Sequence, residues 1–517
     1  MRVTVTGGLI EGYIDHELGV RWYKGIPFAA PPVGDLRWKA PQPVVPWTGV
    51  RSATEFGARA MQLPIFGDMN FRASGMSEDC LYLNVWAPVT TDTPLPVLVY
   101  FYGGGNVAGD GSEPRYDGAQ LARQEIISIT VNYRLNVFGF FAHPDLSAEA
   151  PYHASGNYGY LDQLAALQWV QANIASFGGD PARVTIAGES AGSISVSAQM
   201  ASPLAKGLIA GAIGSSGSIM GALPAIPLAD AERIGVEMAT SISAPTLAAL
   251  RILPAPQLLE ALGGRSPQEF TGVIDGYFLP DNPADIFARG AQAQVPLLVG
   301  WNSTEVPHMF LLQQHAPTMA NFELMVRQQF GPVADQVLQH YAVTSDAEVV
   351  DVATDLSSDM FIGYSTWKWA DMHARTSNQP VYRYLYAHPR PPMRSEMGDA
   401  VSGLAGGVIR GDEAKSAPQL TVKGAVHSAD IEYFMGNLAT NTVYAWSALD
   451  DAISHTMKRV YVQFVQHATP NGADVPAWEP LDVTHRRFMR IAAVSGMEDD
   501  RHQMRYEFLD TVLDGRR

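Results

Sequence analysis

A chain of 517 residues that is 47% hydrophobic and 17% charged, with 47 glycines and 35 prolines, can bury a large core and is not a disordered chain. Its formal charge of -17 excludes the clustered Lys and Arg that phosphate backbones demand, so no nucleic-acid partner is expected. Cys80 is the only cysteine, which excludes an intrachain disulfide and a cysteine-rich zinc site and fits a reducing compartment.

Neither a basic n-region nor an apolar h-region opens the chain, and Arg2-Val3-Thr4-Val5-Thr6 already alternates like a strand. No apolar run approaches the ~20 residues of a membrane span. A soluble, cytoplasmic protein with no membrane partner is expected, or a secreted one whose leader has been cut away. Turn signals at Gly7-Gly8, Gly12, Gly25-Ile26-Pro27 and Pro31-Pro32-Val33-Gly34 predict a small antiparallel sheet leading into loops over residues 1–60.

Pro96-Val97-Leu98-Val99-Tyr100-Phe101 is wholly apolar, as a buried parallel strand requires. Tyr102-Gly103-Gly104-Gly105-Asn106 follows it. Glycines just past a strand let backbone N–H groups converge on one spot as an oxyanion hole, with a flexible loop as the alternative. Residues 126–133 read as another strand. The turn Gly156-Asn157-Tyr158-Gly159 then opens a helix whose Leu164, Leu167, Val170 and Ile174 share one face, and Gly178-Gly179-Asp180-Pro181 ends it.

Val184-Thr185-Ile186-Ala187 is a β-branched strand running into Gly188-Glu189-Ser190-Ala191-Gly192 and a second helix. That order fits a nucleophile elbow, in which Ser190 sits on a strained turn and side chains at Gly188 or Gly192 would collide; an ordinary turn is the bland alternative. Strand, helix and strand make a parallel βαβ unit. Residues 208–213 and 295–300 read as further buried strands, 228–263 as helical, and 443–467 and 485–491 as closing helices. Residues 389–423 read as a lid or mobile loop. No repeat or interdomain linker interrupts the chain.

A serine nucleophile needs a base and an orienting acid, and elbow hydrolases run Ser, then Asp or Glu, then His, which removes His16, His143 and His153. Glu305 follows a predicted strand and sits on the rim where α/β sheets place catalytic groups. His308 shares that loop and has no independent approach to Ser190. His427 lies in Gly424-Ala425-Val426-His427-Ser428-Ala429-Asp430, a small-residue segment suited to presenting an imidazole. The residues alone leave the choice among the later histidines open.

The run from Tyr23 to Gly34 with Leu36-Arg37-Trp38, the run Ser77-Glu78-Asp79-Cys80-Leu81, the block from Gly156 to Ser193, the segment Gly300 to Glu305 and the string around His427 occur in one order. Together they resemble the type-B carboxylesterase and cholinesterase family, including its bacterial para-nitrobenzyl-esterase-like members. The resemblance implies an α/β-hydrolase fold, a central mostly parallel sheet with helices on both faces and helical insertions over the active site. It implies one catalytic domain over 1–517, with inserted helical subregions at about 228–290 and 305–380. The implied activity is a serine carboxylic-ester hydrolase that works through an acyl-enzyme on small to medium esters, without metal or cofactor, as a monomer or small homo-oligomer.

The roles implied are nucleophile for Ser190, base for His427 and orienting acid for Glu305, with oxyanion donors at Gly104, Gly105 and Ala191. Tyr102, Asn106, Glu189 and Phe71 are expected around the substrate, and Ser216 as a supporting serine behind the nucleophile. Several positions depart from the family pattern. Thr304 replaces an aspartate, Asn106 stands where phenylalanine is common, and Asp68-Met69-Asn70-Phe71-Arg72 lacks the tryptophan of choline-ester enzymes. Ala60 replaces a cysteine that would pair with Cys80, so the loop from Ala60 to Asp79, at the mouth of the family's gorge, is expected to be mobile. Cleavage of a bulky ester, amide or carbamate by the same residues, and a non-catalytic binding module, are the rival readings.

Overall fold

The computed structural model describes residues 1–514 apart from 222, 264, 267–268 and 417–422. Its frame is an eleven-stranded sheet. In chain order the strands are β1 (Tyr13–Asp15), β2 (Val20–Pro27), β3 (Tyr82–Pro88), β4 (Leu95–Phe101), β5 (Ile127–Val131), β6 (Gly179–Glu189), β7 (Gly211–Ser215), β8 (Leu297–Asn302), β9 (Val381–Tyr386), β10 (Arg487–Ile491) and β11 (Gly496–Asp499). Across the sheet they run β11-β10-β9-β8-β7-β6-β4-β5-β3-β2-β1. The stretch from β10 to β5 is parallel throughout, and both margins are antiparallel.

Every residue of β4, β5, β7 and β8 is buried, because helices cover both sides of a parallel sheet. The coverage can be read on β7. A side chain at Gly211 would point toward Phe464 of helix Ala448–His467, whereas one at Gly214 would run into Trp369 of helix Tyr364–Thr376 and Ser193 of helix Ala191–Ala201. Residues three apart on a strand face opposite ways, so these helices lie on opposite faces. The architecture is the α/β-hydrolase fold.

Register places the site. Phe101 pairs with Gly188, Ser215 with both Glu189 and Gly300, and these strand ends form one row across β4, β6, β7 and β8. The loops that follow, at 102–106, 190, 216 and 301–305, therefore leave the sheet along a single edge.

Several expectations need correction. The stretch 485–491 is not a helix: its residues 487–491 form strand β10, which pairs in parallel with β9, burying Met489 and Ile491 while Arg487 and Arg490 stay half-buried. The strand expected at 208–213 begins later, at Gly211. Helix Ala448–His467 starts five residues after its predicted start, where Ser447 and Asp450 cap each other's backbone N–H groups reciprocally. The first 60 residues split in two: Arg2–Val5, Gly8–Glu11 and Val50–Ser52 form a separate sheet whose last pairing is parallel, while β1 and β2 join the main sheet.

Helices Leu228–Ser241, Leu247–Ile252, Ala255–Glu260 and Pro283–Ala288 occupy the first region expected to be helical, and five α-helices from Met309 to Thr376 the second. Of 389–423, residues 401–402 and 408–409 form a hairpin and 411–416 a short helix; 417–422 lie outside the described residues. Among the described residues no helix is long and apolar enough to cross a membrane.

Helix Tyr158–Asn173 is fixed to the segment after β5 by a buried ion pair. Arg134 donates from Nη2 to Asp162 Oδ1 at 2.7 Å and from Nε to Oδ2 at 2.8 Å, and its own backbone N–H adds a third bond. Asp162→Ala would strand a guanidinium without a counter-charge, and we expect a loss of about 3–5 kcal/mol in unfolding free energy, measured by denaturant titration.

Candidate active site

Ser190 sits between β6 and helix Ala191–Ala201 at φ 56° and ψ −124°, a conformation a residue with a side chain adopts only under constraint. The constraint is packing. A Cβ on Gly188 would strike the backbone of Gly192, and one on Gly192 would strike the carbonyl of Phe101, so both glycines are needed for strand and helix to close on the serine. Ser190 N–H donates to Ser215 O at 2.9 Å, and the residue stays half-buried.

Beside it runs the loop after β4. Gly104 has φ +116° and its Cβ position is filled by the Ala108 carbonyl, so only glycine fits. Among the described residues, no hydrogen-bond acceptor engages the N–H of Gly104, Gly105 or Ala191. A helix N-terminus and two loop amides left without partners are suited to holding a developing negative oxygen.

Glu305 is fully buried beyond β8. Its Oε2 lies 2.6 Å from His427 Nδ1, while Oε1 accepts from Ser216 Oγ and from Asn302 N–H, each at 2.6 Å. Three more bonds zip the histidine segment onto this strand end: His427 N–H to Glu305 O (3.0 Å), Thr304 N–H to Ala425 O (2.9 Å) and Asn302 Nδ2 to Val426 O (2.7 Å). With Nδ1 committed to Glu305, Nε2 is the free basic position.

Nε2 points at the elbow. It lies 3.3 Å from Glu189 Oε1, one residue before Ser190, and no hydrogen bond joins it to Ser190 Oγ. The point a Gly103 Cβ would occupy is 3.0 Å from Glu189 Oε2 and 3.1 Å from Ser190 Cβ, so both side chains face the start of the glycine loop. Burial by itself would lower the His427 pKa, but Glu189, the bond and charge of Glu305, and Asp430 together raise it to about 9. Burial pushes the Glu189 carboxyl up to about 7 against the opposing pull of His427, and burial with the Glu305 charge lifts Asp430 to about 6.

Two of the residues expected around a substrate, Tyr102 and Asn106, are almost fully buried. Tyr102 is 1% exposed, stacked on Tyr133 with ring centroids 4.5 Å apart and its hydroxyl given to the Tyr133 carbonyl, so it buttresses the glycine loop from beneath. Asn106 is also 1% exposed, because its φ of +59° turns it inward, where its carbonyl accepts from Asn136 N–H. Phe71 is half-buried with the Arg59 guanidinium 5.0 Å from its ring.

Sequence reasoning gave no role to Asp430, which bonds Asn302 Nδ2 at 3.3 Å, although it stands three residues past His427. It also passed over Phe361, whose ring meets the His427 ring edge-on at 5.1 Å from a single π-helical turn, Asp359–Gly363; no local pattern marks it. His308 forms no hydrogen bond with Glu305 or Ser190. Among the described residues no group of three or more His, Cys, Asp or Glu is arranged to hold a metal ion.

Residues 1–509 match the model of the carboxylesterase family. The chain is 34% identical to fumonisin B1 esterase of Sphingopyxis macrogoltabida over 487 residues, covering 91% of this chain and 83% of that one. It is 32% identical to pyrethroid hydrolase Ces2e of Rattus norvegicus, covering 93% and 84%. Its structure superposes on the carboxylesterase EST55 of Geobacillus stearothermophilus with a TM-score of 0.81 at 29% identity, covering 98% and 99% of the two chains. PNB esterase follows at TM-score 0.78 and 28% identity, with the same coverage.

Because the carboxylate facing Nε2 is the first of the charges that raise the imidazole, Glu189→Gln should lower the His427 pKa from about 9. The proton is then lost at lower pH. Imidazole resonances followed by NMR across a pH titration check this, and an unmoved midpoint contradicts it.

Proposed function

The chain belongs to the carboxylesterase family and hydrolyses esters, and we propose that Ser190 is its nucleophile, His427 its general base and Glu305 the acid that orients the imidazole. The observation that carries this reading is the 2.6 Å contact between Glu305 Oε2 and His427 Nδ1, which leaves Nε2 directed at the elbow. Ser190 Oγ attacks the ester carbonyl as its proton passes to Nε2, and the imidazolium so formed is held by the buried Glu305 carboxylate. The carbonyl oxygen, now negative, takes the N–H groups of Gly104, Gly105 and Ala191, each such donor being worth roughly 3 kcal/mol of transition-state stabilisation.

His427 returns the proton to the departing alcohol, leaving an acyl group on Ser190. Water, deprotonated by the same nitrogen, then releases the acid. The base must be neutral, so activity falls as pH drops through the His427 pKa. Every step is carried by protein side chains and backbone, without metal or cofactor. The substrates on this reading are small to medium esters.

The reading also places the chemistry in one catalytic domain over 1–517, acting in the cytoplasm as a monomer or small homo-oligomer. The buried, free Cys80 thiol suits a reducing compartment.

The test is single-turnover kinetics with a nitrophenyl ester. The parent protein should show a burst of nitrophenol, one equivalent per Ser190. Ser190→Ala should abolish it, and His427→Ala should lower kcat about ten-thousand-fold or more. A burst that survives Ser190→Ala overturns the assignment.

A further inference from the structure

The segment from Ala60 to Asp79 has no covalent staple, since Cys80 is the only cysteine. Its two ends are nonetheless tied to the stretch that follows the oxyanion glycines. Gln62 exchanges two hydrogen bonds with the backbone of Gly109, at 2.9 and 3.0 Å. Near the other end Ser112 Oγ accepts from Arg72 N–H and Ala73 N–H, and Arg72 Nε donates to the Ser112 carbonyl at 2.6 Å. In the middle, residues 63–71, the side-chain hydrogen bond out of the segment among the described residues comes from one residue.

That side chain is Asp68, which is 8% exposed. It seats in the turn of the hairpin formed by Val401–Ser402 and Val408–Ile409, where its Oδ2 accepts from Gly407 N–H at 3.2 Å. The seat is shaped for it: a Cβ at Gly403 would run into the Asp68 carboxylate, and one at Gly407 into the Asp68 backbone carbonyl.

Two contacts extend from this clasp. The next residue, Met69, sets its methyl 3.2 Å from the Cβ position of Gly104, against an oxyanion glycine. On the other side the hairpin turn holds the histidine segment. Ser428 Oγ donates to the Leu404 carbonyl, and Arg115 Nη1 bridges turn and segment, donating to the Ala405 carbonyl at 2.8 Å and to Ser428 Oγ at 3.5 Å. Ser428 follows His427 directly and has φ +60°, so its backbone leaves little freedom to absorb a shift of the turn.

We propose that Asp68 is a positioning residue for ester hydrolysis: by docking in the 403–407 turn it holds Met69 against Gly104 and locks the oxyanion loop to the His427 segment. The proposal rests on the assignment of Gly104 and His427 above. A carboxylate that served only to pin down a surface loop would affect stability or substrate access. One that sets the distance between oxyanion donors and base affects the chemical step.

The experiment compares Asp68→Ala, Asp68→Asn and Met69→Ala with the parent in steady-state hydrolysis of a nitrophenyl ester, alongside thermal unfolding and amide hydrogen exchange. In Asp68→Ala we expect kcat to fall about 10- to 100-fold with KM nearly unchanged, since small misplacements of reacting groups cost rates of that order. Protection should drop together in residues 63–71 and 427–430. Asparagine keeps an acceptor for Gly407 N–H and should restore most of kcat.

Met69→Ala leaves the clasp intact and should still lower kcat. An unchanged kcat there overturns the proposal even if Asp68→Ala does not fold. So does a folded Asp68→Ala with parental kcat, or one whose loss appears only in KM or is not rescued by asparagine. Failure of the Ser190 assignment is read separately, from the burst in Ser190→Ala, because the exchange measurement does not depend on which serine reacts.

Discussion

The bond between Glu305 and His427 spans 122 residues and is the contact on which the site depends. Glu305 is fully buried, and a carboxylate taken out of water needs every lone pair occupied. Ser216 and Asn302 satisfy one oxygen, and among the described residues only the imidazole bonds the other. Moving the histidine segment away would leave a naked charge in the core, so the fold and the chemistry enforce the same geometry.

Around one imidazole stand three acidic side chains, Glu189, Glu305 and Asp430, all buried. They hold the proton on His427 more tightly than burial alone would allow, while burial raises the carboxyls of Glu189 and Asp430 above their usual range. The site is built to favour the imidazolium, the species that forms as a serine gives up its proton. The backbone contributes in the same sense: the strained turn at Ser190 and the unpartnered amides at Gly104, Gly105 and Ala191 are features a stable core would avoid, and the surrounding packing sustains them.

Much of this was legible in the sequence where the cause is local. The collisions at Gly188 and Gly192 follow from a strand and helix meeting at one serine, and they are visible in five residues. The apolar run before the glycine triplet announces a strand covered on both faces. The pairing of Glu305 with His427 is different in kind, since it arises only when separate loops fold together, and it was reached through resemblance and not through spacing.

Other features had no local signature. Phe361 meets the imidazole from a turn whose irregular hydrogen bonding no residue pattern marks, and Asp68 finds its seat in glycines more than 330 residues away. The misreading of 485–491 has a simple origin: over so few residues, at a sheet margin where the arginines are half-buried, helical and strand periodicities cannot be told apart. Tyr102 and Asn106 flank the glycines, and their near-complete burial, one stacked on Tyr133 and the other on a left-handed backbone, has no local signature either.

The row of strand ends across β4, β6, β7 and β8 has a consequence for how the molecule is made. Its members leave the ribosome far apart in time, and the histidine segment that completes them comes last, well over 200 residues after the serine turn. On the proposed assignment of Ser190, Glu305 and His427, a growing polypeptide can hold the serine turn, the glycine loop and even the buried glutamate while remaining chemically silent, and hydrolysis waits for the histidine segment.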